Sequence, residues 1–317
     1  MDWGADGVEW KGEGTEAMEY VIGLGLGMDG TLAWVNREVV DRWITPEMQK
    51  VEPLPHGRHY SEMRQYLVLW AMLYVGTMIM YLGSAGLTYH LFYRTRDSKT
   101  GQNLAKWEPE AGQLRNEIST SATSLIFITA AVAPFELMVA RGWTKVYWNV
   151  EDHGWAYLLV SPLLFLVFTD ACIYWIHRIL HHRWFYAPLH KLHHKYKETT
   201  PFSAFAFHPL DGWLQGVPYH IFVFLMPFHH ITYGAAMLLV GLWTINIHDR
   251  IDLDLPGVNG AGHHTLHHQR FNYNYGQYFV HMDKLCGTHL DPYGGQKWSI
   301  YPSRAEKNLS AGKPKDS

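Results

Sequence analysis

Residues 155–182, WAYLLVSPLLFLVFTDACIYWIHRILHH, join a long apolar run to the first of a series of histidines. A helix needs about 20 mainly apolar residues to cross a bilayer, and the run Tyr157–Ile176 meets that need with one ionisable residue, Asp170. An ionisable group at that depth is costly and usually has a functional partner. The stretch therefore predicts a membrane helix that ends in histidines.

Similar apolar runs occur elsewhere in the chain. Tyr66–Phe92 and Ile118–Val139 predict two earlier spans, and the longer stretch Trp213–Ile247, interrupted by Pro218 and Pro227, predicts a hairpin of two helices. Histidines before and after such a hairpin can share one site, because the chain then crosses an even number of times between them. The sequence predicts an all-α polytopic membrane protein with about four transmembrane helices or hairpin segments. The side of the membrane on which the N-terminus lies stays open.

The membrane region is expected to cover residues 64–292, after an N-terminal lead-in of residues 1–63 whose fold the sequence leaves open and before a polar tail of residues 293–317. Gly25–Gly30 has the glycine spacing of a dinucleotide-binding loop, but a flexible turn is the simpler interpretation, since that motif needs a parallel sheet around it. The net charge of −3 shows no basic excess for nucleic acid. With only Cys172 and Cys286, a disulfide framework is not indicated.

Ten of the 21 histidines fall in two short windows, residues 177–194 and 263–268. Residues three and four apart share one face of a helix, so each H-x2-H-H triplet is expected to aim its imidazoles at one point, and His177 and His181, one turn apart, are expected to do the same. Imidazole suits iron, zinc, copper or nickel, and eight clustered imidazoles exceed what one tetrahedral zinc ion uses. We therefore predict a di-metal site in a helical cap. The predicted ligands are His177, His181, His190, His193, His194, His264, His267 and His268, with His248 as a ninth.

Ligand histidines usually donate their other ring N–H to a carboxylate or a carbonyl. The candidates for such supporting roles are Asp170, His208, Asp211, Asp249 and His263. His208 could equally be a ligand or a structural cap, and His182 could support the first window. We expect packed roles for His90, His220, His229 and His230, and surface positions for His56, His59, His153, His281 and His289.

The ordered motifs His-x3-His, His-x2-His-His and His-x2-His-His resemble those of the fatty acid hydroxylase superfamily. The sequence between these motifs resembles the sterol C-5 desaturase branch of the superfamily most closely. The stretches that carry this likeness are Thr169–Arg178, Leu189–Lys195, Thr200–Phe202, Ala206–Gly212, Trp243–Asp249 and Asn272–Gln277. The resemblance covers about residues 165–292.

The resemblance implies O2-dependent desaturation of a Δ7-sterol at C-5 and C-6 on a di-iron centre, with zinc as a possible substitute in purified protein. It also implies cytochrome b5 and its NADH-dependent reductase as electron donors, because the chain lacks the His-Pro-Gly-Gly haem signature of a fused cytochrome b5. The metal site and the C-terminus would then face the cytosol from the endoplasmic reticulum membrane.

Three alternatives remain at the level of sequence. A sterol 4-methyl oxidase or a fatty acid 2-hydroxylase would share the metals and the topology but would insert oxygen. A histidine-rich membrane metal transporter would instead need ligands along a pathway at mid-membrane. The clusters here lie beyond the apolar spans, beside Arg178, Arg183, Lys191 and Lys195, which favours a fixed site at the membrane surface.

Overall fold

The computed structural model describes residues 62–95, 107–252 and 255–292, together with a few positions between 32 and 40. The α-helices of these residues are α1 Glu62–Tyr89, α2 Gln113–Ala140, α3 Gly154–Leu180, α4 Pro209–Leu225, α5 His230–His248, α6 Ala261–Arg270 and α7 His281–Leu285. Shorter helical turns are π-helical His90–Arg94 and Tyr186–His190, and 3-10 helical Val150–Asp152, His193–Lys195 and Pro201–Phe205. Strand β1 Val146–Tyr147 pairs in parallel with β2 Phe228–His229.

The chain divides into two compact units, Met1–Val68 and Leu69–Ser317. In the first, the guanidinium of Arg64 donates from Nε to Oδ1 of the buried Asn36 at 2.9 Å. The second contains all the histidines discussed below. The Gly25–Gly30 motif, His56, His59 and the tail 293–317 lie outside the described residues, so the predicted lead-in and tail borders stay predictions.

Among the residues that the structure describes, four segments are long and apolar enough to cross a bilayer, namely Glu62–Arg94, Gln113–Ala140, Gly154–Leu180 and His230–His248. Their outer faces carry large apolar side chains such as Ile79 and Leu159, which are 70% and 72% exposed. A contiguous apolar surface of this kind suits lipid rather than water. The prediction of an all-α, multi-pass membrane protein is confirmed.

The hairpin predicted for Trp213–Ile247 is confirmed as α4 and α5. The break falls at Met226–His229, where the chain is extended, while Pro218 remains inside α4. Strand pairing between β1 and β2 ties this turn to the segment between α2 and α3. The two ends of the hairpin lie together, because Asp211 near the start of α4 contacts His190 and His248 at the end of α5 contacts His193.

The helices therefore alternate in direction relative to the histidines. α1 runs toward them, since the Tyr93 hydroxyl just beyond it donates to the carbonyl of Asp249 at 2.6 Å. α2 begins beside them, because Gln113 Nε2 donates to the Glu198 carbonyl at 2.8 Å. His177 lies in the last turn of α3, and His248 is the last residue of α5.

The 3-10 turn Pro201–Phe205 fills the space between α1 and α2 beneath the second histidine motif. Its Phe202 carbonyl accepts from the hydroxyls of Tyr81 at 2.7 Å and Ser121 at 3.2 Å. Thr200 caps the turn by accepting from Phe202 N. A second core, between α3 and the hairpin, stacks Phe165 on Phe228 with ring centroids 5.3 Å apart. These two cores hold the helix ends from which the site is built.

Candidate metal centre

Nine buried or half-buried histidines form two groups that could each hold a metal ion. In either group, the candidate ligand nitrogens all lie within 4.8 Å of one another. The five-histidine group consists of His177, His181, His190, His194 and His267. The four-histidine group consists of His193, His248, His264 and His268. The structure thus brings together all nine histidines proposed from the sequence as ligands.

Helix geometry explains how neighbouring histidines divide between the groups. His264 and His268 are one turn apart on α6 and face the four-histidine group, whereas His267 points to the other group. His193 and His194 likewise diverge, because consecutive residues of a helical turn do not share a face. Each H-x2-H-H motif therefore supplies both groups, and the prediction that its three imidazoles aim at one point is wrong.

The Nε2 atoms converge at spacings that suit a bound cation. His177 to His190 is 3.2 Å, His181 to His267 is 3.2 Å, and His194 to His190 is 3.1 Å. In the other group, His264 to His248 is 2.9 Å and His268 to His264 is 3.1 Å. Ligand nitrogens about 2.1 Å from a metal lie about 3.0 Å apart in an octahedron and about 3.4 Å apart in a tetrahedron. The observed contacts match those edges.

The opposite ring nitrogens show that these contacts are not ordinary hydrogen bonds. His177 Nδ1 lies 3.0 Å from the Tyr275 carbonyl, and His190 Nδ1 lies 2.8 Å from Asp211 Oδ2. Carbonyls and carboxylates only accept, so each Nδ1 carries the proton and each neutral ring presents an Nε2 lone pair. Two lone pairs 3.2 Å apart repel unless a cation lies between them. The same holds for His267, which donates to the Tyr273 carbonyl at 2.7 Å, and for His248, which donates to the Thr244 carbonyl at 2.6 Å.

Burial favours the neutral form of five histidines of the two groups. It lowers the pKa of His267 to about 3, with smaller contributions from neighbouring imidazoles. The pKa values of four further ligands are held well below their ordinary range by burial and then by adjacent histidines; these are His193, His194, His264 and His268. Metal ligands must be unprotonated, so these five histidines can bind a cation at neutral pH without first losing a proton.

Of the supporting residues proposed from the sequence, Asp211 contacts a ligand ring directly, that of His190. Asp170 accepts instead from the backbone N–H groups of Gln277, Tyr278 and Phe279. Asp249 accepts from Ile251 N at 2.7 Å and from Asn246, which stabilises the end of α5. The expectation that these two aspartates receive a ligand N–H is therefore wrong, because each carboxylate is taken up by its own loop.

His208 and His263 lie outside the two groups. His208 Nδ1 accepts from Leu210 N at 3.2 Å and caps α4, which agrees with the structural cap among the three options. His263 is buried and stacks on His289 with ring centroids 5.6 Å apart. His182 is exposed at the end of the first motif.

The other histidines that the structure describes follow their expected roles with two differences. His220 is packed against Glu136 and Tyr233, and His229 and His230 pack beside Trp148. His153 is exposed as predicted, and His281 is half-exposed. His90 is exposed rather than packed, and His289 is partly covered by its stacking on His263.

The sequence reasoning missed the backbone acceptors of the site and one buried carboxylate. The carbonyls of Tyr273, Tyr275 and Thr244 orient ligand rings, and a backbone carbonyl has no signature in a residue pattern. Asp283 accepts from Tyr275 N and Gly276 N, each at 2.9 Å. The short polar segment 281–285 gave no indication that Asp283 is buried. The motif Asn272–Gln277 did, however, mark the loop whose backbone Asp283 holds.

Comparisons with known proteins agree with this site. The sequence profile of the fatty acid hydroxylase family matches residues 162–288, which contain both histidine groups. Lathosterol oxidase of Mus musculus is 42% identical over 72% of this chain and 77% of its own length. Lathosterol oxidase of Homo sapiens is 41% identical over the same shares.

A Delta(7)-sterol 5(6)-desaturase of Schizosaccharomyces pombe is 40% identical over 72% of this chain and 68% of its own length. No solved structure matches the chain. Identity at this level, over most of both sequences and across the whole histidine region, establishes common descent. The chain belongs to the fatty acid hydroxylase family, among the relatives of lathosterol oxidases and Delta(7)-sterol 5(6)-desaturases.

Proposed function

We propose that the chain is an O2-dependent sterol C-5 desaturase. It removes one hydrogen from C-5 and one from C-6 of a Δ7-sterol and yields a Δ5,7-sterol. Two electrons and two protons from outside, together with the two substrate hydrogens, reduce O2 to two molecules of water. The observation that carries the proposal is the convergence of nine histidine Nε2 atoms into two groups at one end of membrane-spanning helices, in a chain related to lathosterol oxidases.

The two groups would hold one iron ion each, and zinc could replace iron in purified protein. The five-histidine and four-histidine sets use neutral imidazole, a ligand suited to iron. Bound iron would supply the oxidising power toward an unactivated C–H bond that no side chain has. The protein's part is to fix the Nε2 lone pairs, through acceptors such as Asp211 and the Tyr275 carbonyl, and to keep water away.

Exclusion of water follows from where the histidines lie. His190, His267 and His268 have 0% exposed surface, and the adjoining helices present apolar surface to the membrane. A sterol dissolved in lipid can enter sideways between helices without passing through water. A buried, apolar surrounding also protects the oxidant from unproductive reactions.

We place the enzyme in the endoplasmic reticulum membrane with both histidine groups and the C-terminus in the cytosol. The electrons would come from cytochrome b5 and its NADH-dependent reductase. Exposed basic side chains beside the histidine groups, including Lys191, Lys195 and Arg183, support an acidic electron donor on this surface. A fixed, buried site at the helix ends also favours an enzyme over a metal transporter.

The test is a sterol profile of cells that lack their own C-5 desaturase. Expression of the full chain should restore Δ5,7-sterols at the expense of Δ7-sterols. The His267→Ala variant, expressed at the same level, should leave the profile unchanged. A change confined to 4-methyl sterols or to 2-hydroxy fatty acids would instead assign one of the oxygen-inserting activities.

A further inference from the structure

Two buried carboxylates hold five consecutive backbone N–H groups of the loop that follows α6. Asp170 Oδ1 accepts from Gln277 N at 3.1 Å, Tyr278 N at 2.6 Å and Phe279 N at 3.2 Å. Asp283 accepts from Tyr275 N and Gly276 N, each at 2.9 Å. Both aspartates have 0% exposed surface. We call residues 273–279 the clamp loop.

The clamp loop in turn orients two ligands of the five-histidine group. The Tyr275 carbonyl accepts from His177 Nδ1 at 3.0 Å, and the Tyr273 carbonyl accepts from His267 Nδ1 at 2.7 Å. Each contact fixes the ring's tautomer and direction, so that Nε2 faces the group. Displacement of the clamp loop would release two of the five rings at once.

Helix α3 and the clamp loop contact each other at two points, through Asp170 and through His177. Asp170 and His177 are seven residues apart on α3 and so lie on one face of the helix. Asp170 holds the loop at Gln277–Phe279, and the loop holds His177 through the carbonyl of Tyr275. The distance between a ligand and its supporting carbonyl is therefore set by a carboxylate two turns away on the same helix.

The clamp loop fits its carboxylates closely. A Cβ added at Gly276 would lie 2.4 Å from the Phe279 carbonyl oxygen and 3.1 Å from Asp283 Oδ2. Asn274 has a left-handed backbone with φ of 58°, and its side chain bonds the backbone of Leu290 in both directions. Thr288 Oγ1 donates to Asp283 Oδ1 at 2.8 Å. The position of the loop backbone is thus determined at each residue.

Burial of two carboxylates against backbone amides is a costly way to hold a loop. A basic group that faces Asp170 is the half-exposed His281, whose Nδ1 is 3.6 Å from Oδ2. An apolar loop anchor would avoid that cost, whereas a charged anchor fixes individual N–H directions and hence carbonyl directions. The orientation of ligand rings is the property that such an anchor controls.

We propose that Asp170 and Asp283 are positioning residues of the five-histidine group, which act through the clamp loop on His177 and His267. Their loss weakens metal binding at that group and leaves the four-histidine group intact. The inference rests on the proposed metal site but is independent of the sterol substrate. Loss of a supporting partner of a metal ligand typically lowers metal affinity about 10- to 100-fold.

The experiment measures metal binding by the full chain in detergent, loaded with Co²⁺ as a spectroscopic probe and with Fe²⁺ for stoichiometry. Asp170→Asn and Asp283→Asn are compared with wild type. Glu136→Gln is the matched control, because Glu136 is also a buried carboxylate and is bonded to Tyr233 at the opposite end of the helices. Melting temperature is recorded for all four proteins.

Wild type should bind two ions. Both aspartate variants should keep one ion at wild-type affinity and bind the second about 10- to 100-fold more weakly, while Glu136→Gln keeps both ions even if its melting temperature falls. Wild-type affinity for both ions in the aspartate variants, or equal weakening at both groups, would overturn the positioning role. A wild-type chain that binds no metal would instead overturn the proposed function.

Discussion

His190 and Asp211 form a fully buried pair in which Nδ1 lies 2.8 Å from Oδ2. Asp211 is in the first turn of α4, and His190 ends the π-helical turn before it. The pair therefore links the start of the hairpin to the five-histidine group.

Asp211→Asn should lower metal occupancy of this group. The amide cannot accept the Nδ1–H with the strength of a carboxylate and can turn its own donor toward the ring, which favours the wrong tautomer of His190. We expect about 10- to 100-fold weaker binding of one ion, measured by metal analysis after dialysis. Gln215→Ala removes only a donor to the other oxygen of Asp211, and it should retain both ions; equal losses in the two variants would contradict this role.

His181→Ala and His182→Ala form a pair of adjacent substitutions with opposite expected results. His181 Nε2 lies 3.1 Å from His194 Nε2 within the five-histidine group, whereas the neighbouring His182 is exposed. The first change should abolish sterol desaturation and reduce bound metal, and the second should leave both near wild type. Desaturation assays on membranes with matched expression decide this, and an inactive His182→Ala protein with full metal content would reassign that residue.

Metal-free protein should lose stability on acidification. Burial lowers the pKa of His267 to about 3 and of His263 to about 4 in the folded chain, whereas an unfolded histidine titrates near 6.5. Below about pH 6.5 the unfolded state binds more protons than the folded state. Each such group therefore lowers the free energy of unfolding by up to about 1.4 kcal/mol for each pH unit of acidification, until the folded pKa is reached.

The measurement is the melting temperature of the chelator-treated chain in detergent between pH 8 and pH 5, about the range in which histidine titrates. A flat profile would contradict the burial of neutral histidines. Above about pH 7 little change is expected, because both states are then unprotonated at these residues.

Side-specific labelling can test the proposed topology. After replacement of Cys172 and Cys286, a cysteine at exposed Lys195 should react with an impermeant maleimide in sealed, cytosol-side-out microsomes. A cysteine at Trp143, which is 64% exposed beyond the far end of α2, should react only after permeabilisation. Asn308, in the sequon Asn308-Leu309-Ser310, should carry no glycan, and an enzyme-sensitive mass shift there would reverse the orientation.

The membrane spans were predictable from the sequence because apolar length is a property of a single helix. The clustering of the histidines was predictable from their close spacing, and the pairs four residues apart, such as His264 and His268, do share a group. The partition of His193 from His194 was not predictable, since it depends on the relative rotation of elements from distant parts of the chain. Asp170 was marked as functional by its depth, but its partner, the backbone of Gln277–Phe279, is set by tertiary packing alone.

The hairpin of α4 and α5 separates the ligands into an early and a late set, and each histidine group draws on both. His177 and His267 belong to one group, while His193 and His268 belong to the other. Each ion would thus act as a cross-link that closes a long chain loop, and both loops contain the hairpin. Because closing a long loop restricts the unfolded chain, the ions would join α3, the hairpin and α6 into one cooperative unit. Neither ligand set is complete during synthesis until α6 has been made.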